Sequence, residues 1–233
     1  MQPDNIKSVQ LDGATLIFDL DGTLVDTAPD LFATLNHILD QEALPAAADD
    51  MIRPHISFGA RRMIEEGIAL AGVRRSDDEL DQLLARFLDH YAANIAVKSA
   101  PYPTVVEVLV AAAQGGAKLG VCTNKRERLA RQLLGELELH SHFEAILGYD
   151  TLDVRKPHPR HLTETIRRAG GNPEKAIMVG DSPTDVATAK AAGIPVIAVS
   201  FGYSEVPPRE LGADIVIDDY ADFLDAALQL LPR

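Results

Sequence analysis

The 233-residue chain has a single cysteine, Cys122, which rules out an intramolecular disulfide framework. It also lacks any paired Cys/His spacing of the kind that holds zinc. Both absences suit a reducing compartment, the cytoplasm by default. No apolar run approaches the length that crosses a bilayer, and Met1 to Gln10 shows neither the basic region nor the apolar stretch of a signal peptide. Neither export nor a membrane partner is therefore expected. Positive charge is scarce, with 22 Lys and Arg against 35 Asp and Glu and a formal net charge of -13. Nucleic acid and acidic membranes demand a basic face to displace counterions, so this balance works against both and favours small substrates. Any anionic substrate must find its positive charge gathered locally.

What is present suits one domain with an insertion, or two small domains: 46% of residues are hydrophobic and 24% charged. Ala14 to Leu20 is a short apolar run with β-branched residues that ends in Asp-Gly, the pattern of a buried strand feeding a turn. Similar runs recur at 118–122, 145–147, 176–179, 196–199 and 215–217, alternating with helical segments from about Lys125, His158, Pro183 and Tyr220. Alternation of this kind predicts an α/β fold, a doubly wound, Rossmann-like parallel sheet.

Between the first two strands, roughly Thr27 to Val97, helix follows helix without a convincing strand. Thr27-Ala28-Pro29-Asp30 reads as an N-cap with an acidic residue at the third helical position, and Ser76-Asp77-Asp78-Glu79 repeats the pattern. The chain is thus expected to divide into an α/β core, residues 1–26 and 98–233, and a helical cap, residues 27–97. The crossings fall at Asp26-Thr27 and near Pro101-Tyr102-Pro103.

Four strand ends carry chemistry-bearing side chains. Asp19 and Asp21 lie two apart where open α/β sheets place ligands, and two carboxylates so close call for a cation. Thr123-Asn124 closes the next strand with a hydroxyl and backbone N–H groups able to hold a phosphoryl oxygen. Lys156 stands in a loop stiffened by Pro157 and Pro159. Asp181 ends a further strand, and Asp185 follows one helical turn later. Taken singly, each has an ordinary explanation: a turn, an N-cap, a solvated lysine, a helix cap. Four together, at successive strand ends, are hard to assign to four separate accidents.

In Asp19-x-Asp21-Gly22-Thr23, Thr123-Asn124, Lys156-Pro157 and Gly180-Asp181-x3-Asp185, taken in order, the chain resembles the haloacid dehalogenase (HAD) superfamily of phosphatases over nearly its whole length. Within it, Asp-Leu-Asp-Gly-Thr-Leu-Val-Asp-Thr-Ala-Pro-Asp-Leu at 19 to 31 and Lys-Pro-His-Pro at 156 to 159 look most like phosphoglycolate phosphatases.

The resemblance implies a Mg2+-dependent phosphomonoester hydrolase. Asp19 would attack phosphorus and become an aspartyl phosphate, while Asp21 would protonate the leaving alkoxide and then deprotonate the hydrolytic water. Thr123, the Asn124 backbone and Lys156 would bind phosphoryl oxygens. Magnesium would take Asp19, the Asp21 carbonyl and Asp181, with Asp185 orienting Lys156 or a water of the metal. The substrate would be a small phosphorylated metabolite, phosphoglycolate first among candidates, and the protein a monomer or homodimer.

The resemblance further implies that the insertion is a cap that closes over the site and sets specificity. Its expected substrate-facing segment is Ile56-Ser57-Phe58-Gly59-Ala60-Arg61-Arg62, in which Gly59 allows close approach and Arg61 or Arg62 pairs with a substrate carboxylate. The plainer alternative there is a loop running into an amphipathic helix with exposed arginines. Phe58 with only Gly59 departs from the glycine-rich pair of phosphoglycolate phosphatases. Cys122 reads as packing, His158 as part of a helix start, and Lys125 either as support for the phosphate loop or as solvent-facing. Rival readings are a sugar-phosphate mutase, a nucleotidase or a pyrophosphatase using the same aspartyl phosphate, and, outside enzymes, a phospho-receiver signalling domain. The insertion's size and the presence of Asp21 and Asp181 argue against the receiver. The absence of a lysine in the insertion before Lys98 argues against imine-forming phosphonate hydrolysis.

Overall fold

The structure, a computed structural model, describes residues 10–232. Met1 to Val9, on which the reading against a signal peptide chiefly rests, lie outside them. Strand β1 (Thr15–Phe18) leads through the short β2 (Val25–Asp26) to helices α1 (Ala28–Gln41), α2 (Asp49–Ile52), α3 (Ala60–Leu70) and α4 (Asp77–Ala93). The chain returns through β3 (Ala100–Pro101) and α5 (Val105–Gln114) to β4 (Lys118–Cys122), α6 (Glu127–Glu136), β5 (Ala145–Leu147) and α7 (Pro159–Arg168). It ends with β6 (Ala176–Gly180), α8 (Pro183–Ala192), β7 (Val196–Val199), β8 (Ile215–Ile217) and α9 (Phe223–Leu230). Among the described residues no helix is long and apolar enough to cross a membrane.

Six strands form one parallel sheet in the order β5-β4-β1-β6-β7-β8. Strands covered on both faces must be apolar along their length, which is why they stand out as uninterrupted runs. Successive side chains leave opposite faces. Leu16 and Phe18 join Leu109, Leu133 and Phe223 from α5, α6 and α9, whereas Ile17 joins Leu162, Ile166 and Val186 from α7 and α8. The strand order grows outward from β1 in both directions and reverses between β1 and β6, the place where doubly wound sheets bind ligands.

The four inserted helices bury one face together. Leu31, Leu35 and Leu39 of α1, Ile64 and Ile68 of α3, and Leu83 and Phe87 of α4 recur at helical spacing and belong to one apolar cluster. Ser76 opens α4 with a full capping box: its hydroxyl accepts from the Glu79 N–H, and the Glu79 carboxylate accepts from the Ser76 N–H at 2.8 Å.

Thr27 departs from the anticipated N-cap, because its hydroxyl makes no capping bond. Asp30, expected as a first-turn acid, is buried and accepts from the Lys98 N–H, the Ser99 N–H and the Ser99 hydroxyl. It thereby ties the start of the insertion to its end. At the same junction β2 and β3 pair antiparallel, Val25 with Pro101 and Asp26 with Ala100. Strands of two residues carry no period for pattern reading to find. Two helices also begin later than their sequence signals: α6 starts at Glu127 rather than about Lys125, and α9 at Phe223 after a 3-10 turn over Tyr220–Asp222.

Candidate active site

The sheet register brings the site together. Phe18 lies beside Val121 of β4 on one side and Val179 of β6 on the other, so the residues just beyond all three strands emerge at one level. Asp19 continues β1 by one bond, its N–H donating to the Val179 carbonyl at 2.9 Å, and Thr123 does the same toward Leu147 at 3.0 Å. The chain then turns sharply at Gly22, whose φ is 78°. A Cβ at that position would stand 2.6 Å from Oδ2 of Asp181, so only glycine lets this turn pass against that carboxylate.

Asp19, Asp181 and Asp185 each place a carboxylate oxygen within 4.8 Å of the other two, and all three are buried. Lys156, 3% exposed, sets its ammonium 2.6 Å from Oδ1 of Asp185 and 3.0 Å from Oδ1 of Asp19. Its approach to Asp19 is not aligned for a hydrogen bond, and that oxygen is left buried without a donor. Burial pushes the Asp19 carboxyl up to about 6 against the pull of Lys156, with Asp185 and Asp21 adding to the rise. Burial, then Asp185 and Asp19, hold Asp181 well above the usual carboxylate range. Burial also works against the Lys156 charge, but Asp185 and Asp19 outweigh it and raise that pKa.

Asp185 is fully engaged. Its Oδ2 accepts from the Asp181 N–H, the Ser182 N–H and the Ser182 hydroxyl, completing a capping box at the start of α8 while Oδ1 holds Lys156. Asp181 accepts from the Thr23 hydroxyl at 3.1 Å and from the Tyr203 N–H at 2.7 Å. Tyr203 is a site residue that no sequence signal marked, since it lies in a loop far along the chain.

A divalent cation fits this pocket. One ammonium serves three clustered acidic groups, and burial and mutual repulsion push the Asp19 and Asp181 carboxyls up. A divalent cation would relieve that repulsion, and Asp19 also keeps an oxygen that receives no hydrogen bond.

Asp21 stands apart from that cluster. Its carboxylate receives the Lys125 ammonium at 2.8 and 3.1 Å, and the same ammonium reaches the Tyr91 hydroxyl of α4 at 2.8 Å. The alternative of a solvent-facing Lys125 is thus overturned: its side chain is 5% exposed. Thr123 Oγ1 accepts from the Lys125 N–H at 3.2 Å, and the Asn124 side chain donates to the Lys156 carbonyl at 3.2 Å, stitching these loops together. His158 caps α7 by accepting from the Arg160 N–H, and Cys122 is buried with its thiol pushed up to about 12 by burial, so neither has chemistry to offer.

Above these groups opens a cavity of about 720 Å³, lined from the core by Asp19, Asp21, Thr123, Asn124 and Lys156 and from the insertion by Phe58, Gly59, Arg61 and Arg62. The expected specificity segment therefore faces the site. Phe58 is 63% exposed, and a Cβ added at Gly59 would meet nothing within 4 Å beyond its chain neighbours. The two arginines, however, already have partners. Arg61 pairs with Glu65 at 3.1 Å, with Asp77 at 2.8 Å and with Asp81, while Arg62 pairs with Glu66 at 2.5 Å and Glu65 at 3.7 Å.

Known proteins are similar to this chain over most of its length. The phosphoglycolate phosphatase of Caulobacter vibrioides is 47% identical over 221 residues, 95% of this chain and 93% of that protein. The phosphoglycolate phosphatase of Mesorhizobium japonicum is 51% identical over 207 residues, 88% of this chain and 90% of its own. The crystal structure of a predicted phosphoglycolate phosphatase from Haemophilus somnus matches with a TM-score of 0.85 at 30% identity, covering 95% of this chain and 99% of that one. A family model described as haloacid dehalogenase-like hydrolase matches residues 16–199, from the strand that delivers Asp19 to the end of β7. By that match and these relatives, the chain belongs to the haloacid dehalogenase-like hydrolases.

Proposed function

We propose that this phosphatase hydrolyses small phosphomonoesters through an aspartyl phosphate on Asp19, with magnesium as its metal and phosphoglycolate as the leading substrate. The observation that carries the reading is Asp19 itself: a buried carboxylate on the floor of the cavity, beside the Lys156 ammonium, with one oxygen that receives no hydrogen bond. Oδ1 faces the Lys156 ammonium, so charge holds the carboxylate in place where it lines the cavity that admits the ester. The names of the Caulobacter vibrioides and Mesorhizobium japonicum relatives, matched over nearly their whole length, support the choice of phosphoglycolate.

In the first step an Asp19 oxygen bonds to phosphorus as the ester P–O bond breaks, and Asp21 gives its proton to the departing oxygen. In the second, Asp21 takes a proton from the water that attacks the aspartyl phosphate, releasing inorganic phosphate and restoring Asp19. The Thr123 hydroxyl, the Asn124 N–H and the Lys156 ammonium bind the phosphoryl oxygens, where positioning and charge neutralisation supply most of the acceleration in phosphoryl transfer. Asp185 acts through Lys156, holding the ammonium at 2.6 Å. Asp19, Asp181 and the Asp21 carbonyl would hold magnesium, which supplies charge neutralisation to Asp19 and the phosphoryl group when bound.

Residues 27–97 form the cap and residues 1–26 and 98–233 the core in this reading, and the enzyme works in the cytoplasm as a monomer or homodimer. Release of inorganic phosphate from phosphoglycolate, with Mg2+ and with chelator, tests the function in the wild type and in Asp19→Asn. Turnover that needs Mg2+ and disappears in the variant supports it. Equal activity in chelator, or turnover by Asp19→Asn, overturns it.

A further inference from the structure

Arg61 and Arg62, the arginines that the insertion contributes to the cavity, are paired with carboxylates of the insertion itself, so further positive charge for a substrate lies elsewhere on the cavity wall. Arg126 and Arg155, in the loops after β4 and β5, line the same cavity as Asp19 and Lys156. Their guanidinium carbons stand 5.7 and 5.9 Å from the centre of the Tyr149 ring. Among the described residues, neither forms an ion pair with a carboxylate. The acidic groups of these loops are engaged in other bonds: Asp150 accepts from the Glu127 N–H at 2.8 Å, Glu127 pairs with Arg131 at 2.7 Å, and Asp153 pairs with Arg160.

These loops are also fixed to the phosphate-binding candidates. The Tyr149 N–H donates to the Lys125 carbonyl at 3.0 Å, and Asn124 bonds to the Lys156 carbonyl. Gly148 packs so closely on the start of α6 that a Cβ there would lie 2.2 Å from the Glu127 nitrogen. Arg126 follows Asn124 by two residues, and Arg155 directly precedes Lys156. Two guanidinium groups, without a carboxylate partner among the described residues, thus line the cavity that holds Asp19 and Lys156. A guanidinium presents a planar fork that matches a carboxylate with two parallel hydrogen bonds. The cavity is also larger than phosphoglycolate needs, since a volume of about 720 Å³ is of the size that takes drug-sized ligands.

We propose that Arg126 and Arg155, steadied by Tyr149, bind a second anionic group on the substrate, a carboxylate above all, and make the enzyme selective for phosphomonoesters that carry one. The inference rests on the reading of the Asp19 site as the place of hydrolysis. It moves substrate recognition from Arg61 and Arg62 of the insertion to the core, and it admits esters of larger acids than glycolate.

The test compares kcat and KM for phosphoglycolate, phospholactate and ethyl phosphate, the last lacking the carboxylate. The wild type is expected to prefer the two acids. Arg126→Gln and Arg155→Gln should each lower that preference about tenfold, chiefly through KM, and the double variant further. Arg126→Lys should recover part of it, while Arg61→Gln and Arg62→Gln leave the preference as it was. A preference retained by the double variant, lost in Arg61→Gln, or absent from the wild type overturns the inference, and ethyl phosphate turnover in those cases leaves the phosphatase reading standing. Should no ester be turned over, that reading fails by itself. Calorimetric binding of phosphoglycolate then decides the inference, which requires weaker binding in the double variant and is overturned by equal binding.

Discussion

Lys125 grips Asp21, its ammonium 2.8 Å from Oδ1 and 3.1 Å from Oδ2. The same ammonium bonds to the Tyr91 hydroxyl and lies 4.5 Å from the centre of that ring. Burial opposes the charge on Lys125, but Asp21 and Tyr91 outweigh it and raise the pKa, so the residue is a cation at neutral pH. One side chain therefore connects the carboxylate proposed to move the proton with the helical insertion above it.

Removing that connection should loosen Asp21 without emptying the phosphate site. Lys125→Met is expected to lower kcat on the order of 10²-fold, the scale of a small misplacement of a reacting group. Tyr91→Phe keeps the ring and should have a smaller effect. Steady-state kinetics on phosphoglycolate check both, and an unchanged kcat in Lys125→Met would refute the positioning role.

Asp181 should report the metal directly in stability. A cation that binds only the folded chain stabilises it by about 2.7 kcal/mol at a hundred times its Kd. Thermal unfolding of the wild type is expected at a higher midpoint with Mg2+ than with chelator. Asp181→Asn should lose most of that difference. A midpoint in the wild type that ignores Mg2+ would contradict the assignment.

Tyr203 links the same carboxylate to the base of the insertion. Its hydroxyl donates to Asp26 at 2.6 Å and accepts from the Thr27 and Ala28 N–H groups at 2.7 and 3.0 Å, while its own N–H serves Asp181. Tyr203→Phe strands the buried Thr27 N–H. The expected loss is about 1–3 kcal/mol in urea unfolding at an unchanged m-value, and a loss near zero would mean that water replaces the hydroxyl.

His161 supplies a dependence on pH. It is fully buried on α7, and burial, then Lys156, lowers its pKa to about 4, against about 6.5 for a free imidazole. Between those values the unfolded chain takes up a proton that the folded chain refuses. Its contribution is therefore complete above about pH 6.5 and lost as pH falls to about 4, a change on the order of 3 kcal/mol. The stability of the wild type relative to His161→Leu should fall by about that amount from pH 7 to pH 4. A difference that stays flat across this window would show that His161 titrates normally.

Much of the fold and of the site is legible in the amino-acid sequence. The sheet strands are buried on both faces, so each appears as an apolar run, and Asp19, Thr123, Lys156 and Asp181 stand where those runs or the loops after them end. What the sequence hides depends on encounters between distant segments. Arg61 reads as a candidate substrate ligand until α4 lays Asp77 and Asp81 against it. Asp30 fits the pattern of a first-turn acid, yet its partners are Lys98 and Ser99. Lys125 has no local feature to distinguish it from a surface lysine, because its partners Asp21 and Tyr91 come from other elements.

The central claim is that the phosphoryl group passes through Asp19. Mixing enzyme, Mg2+ and phosphoglycolate, quenching in acid within a turnover and mapping the phosphorylated peptide by mass spectrometry tests it most directly. The account predicts a phosphoryl group on the peptide bearing Asp19, with none in Asp19→Asn. A phosphoryl group on any other residue, or steady turnover by Asp19→Asn, would contradict it.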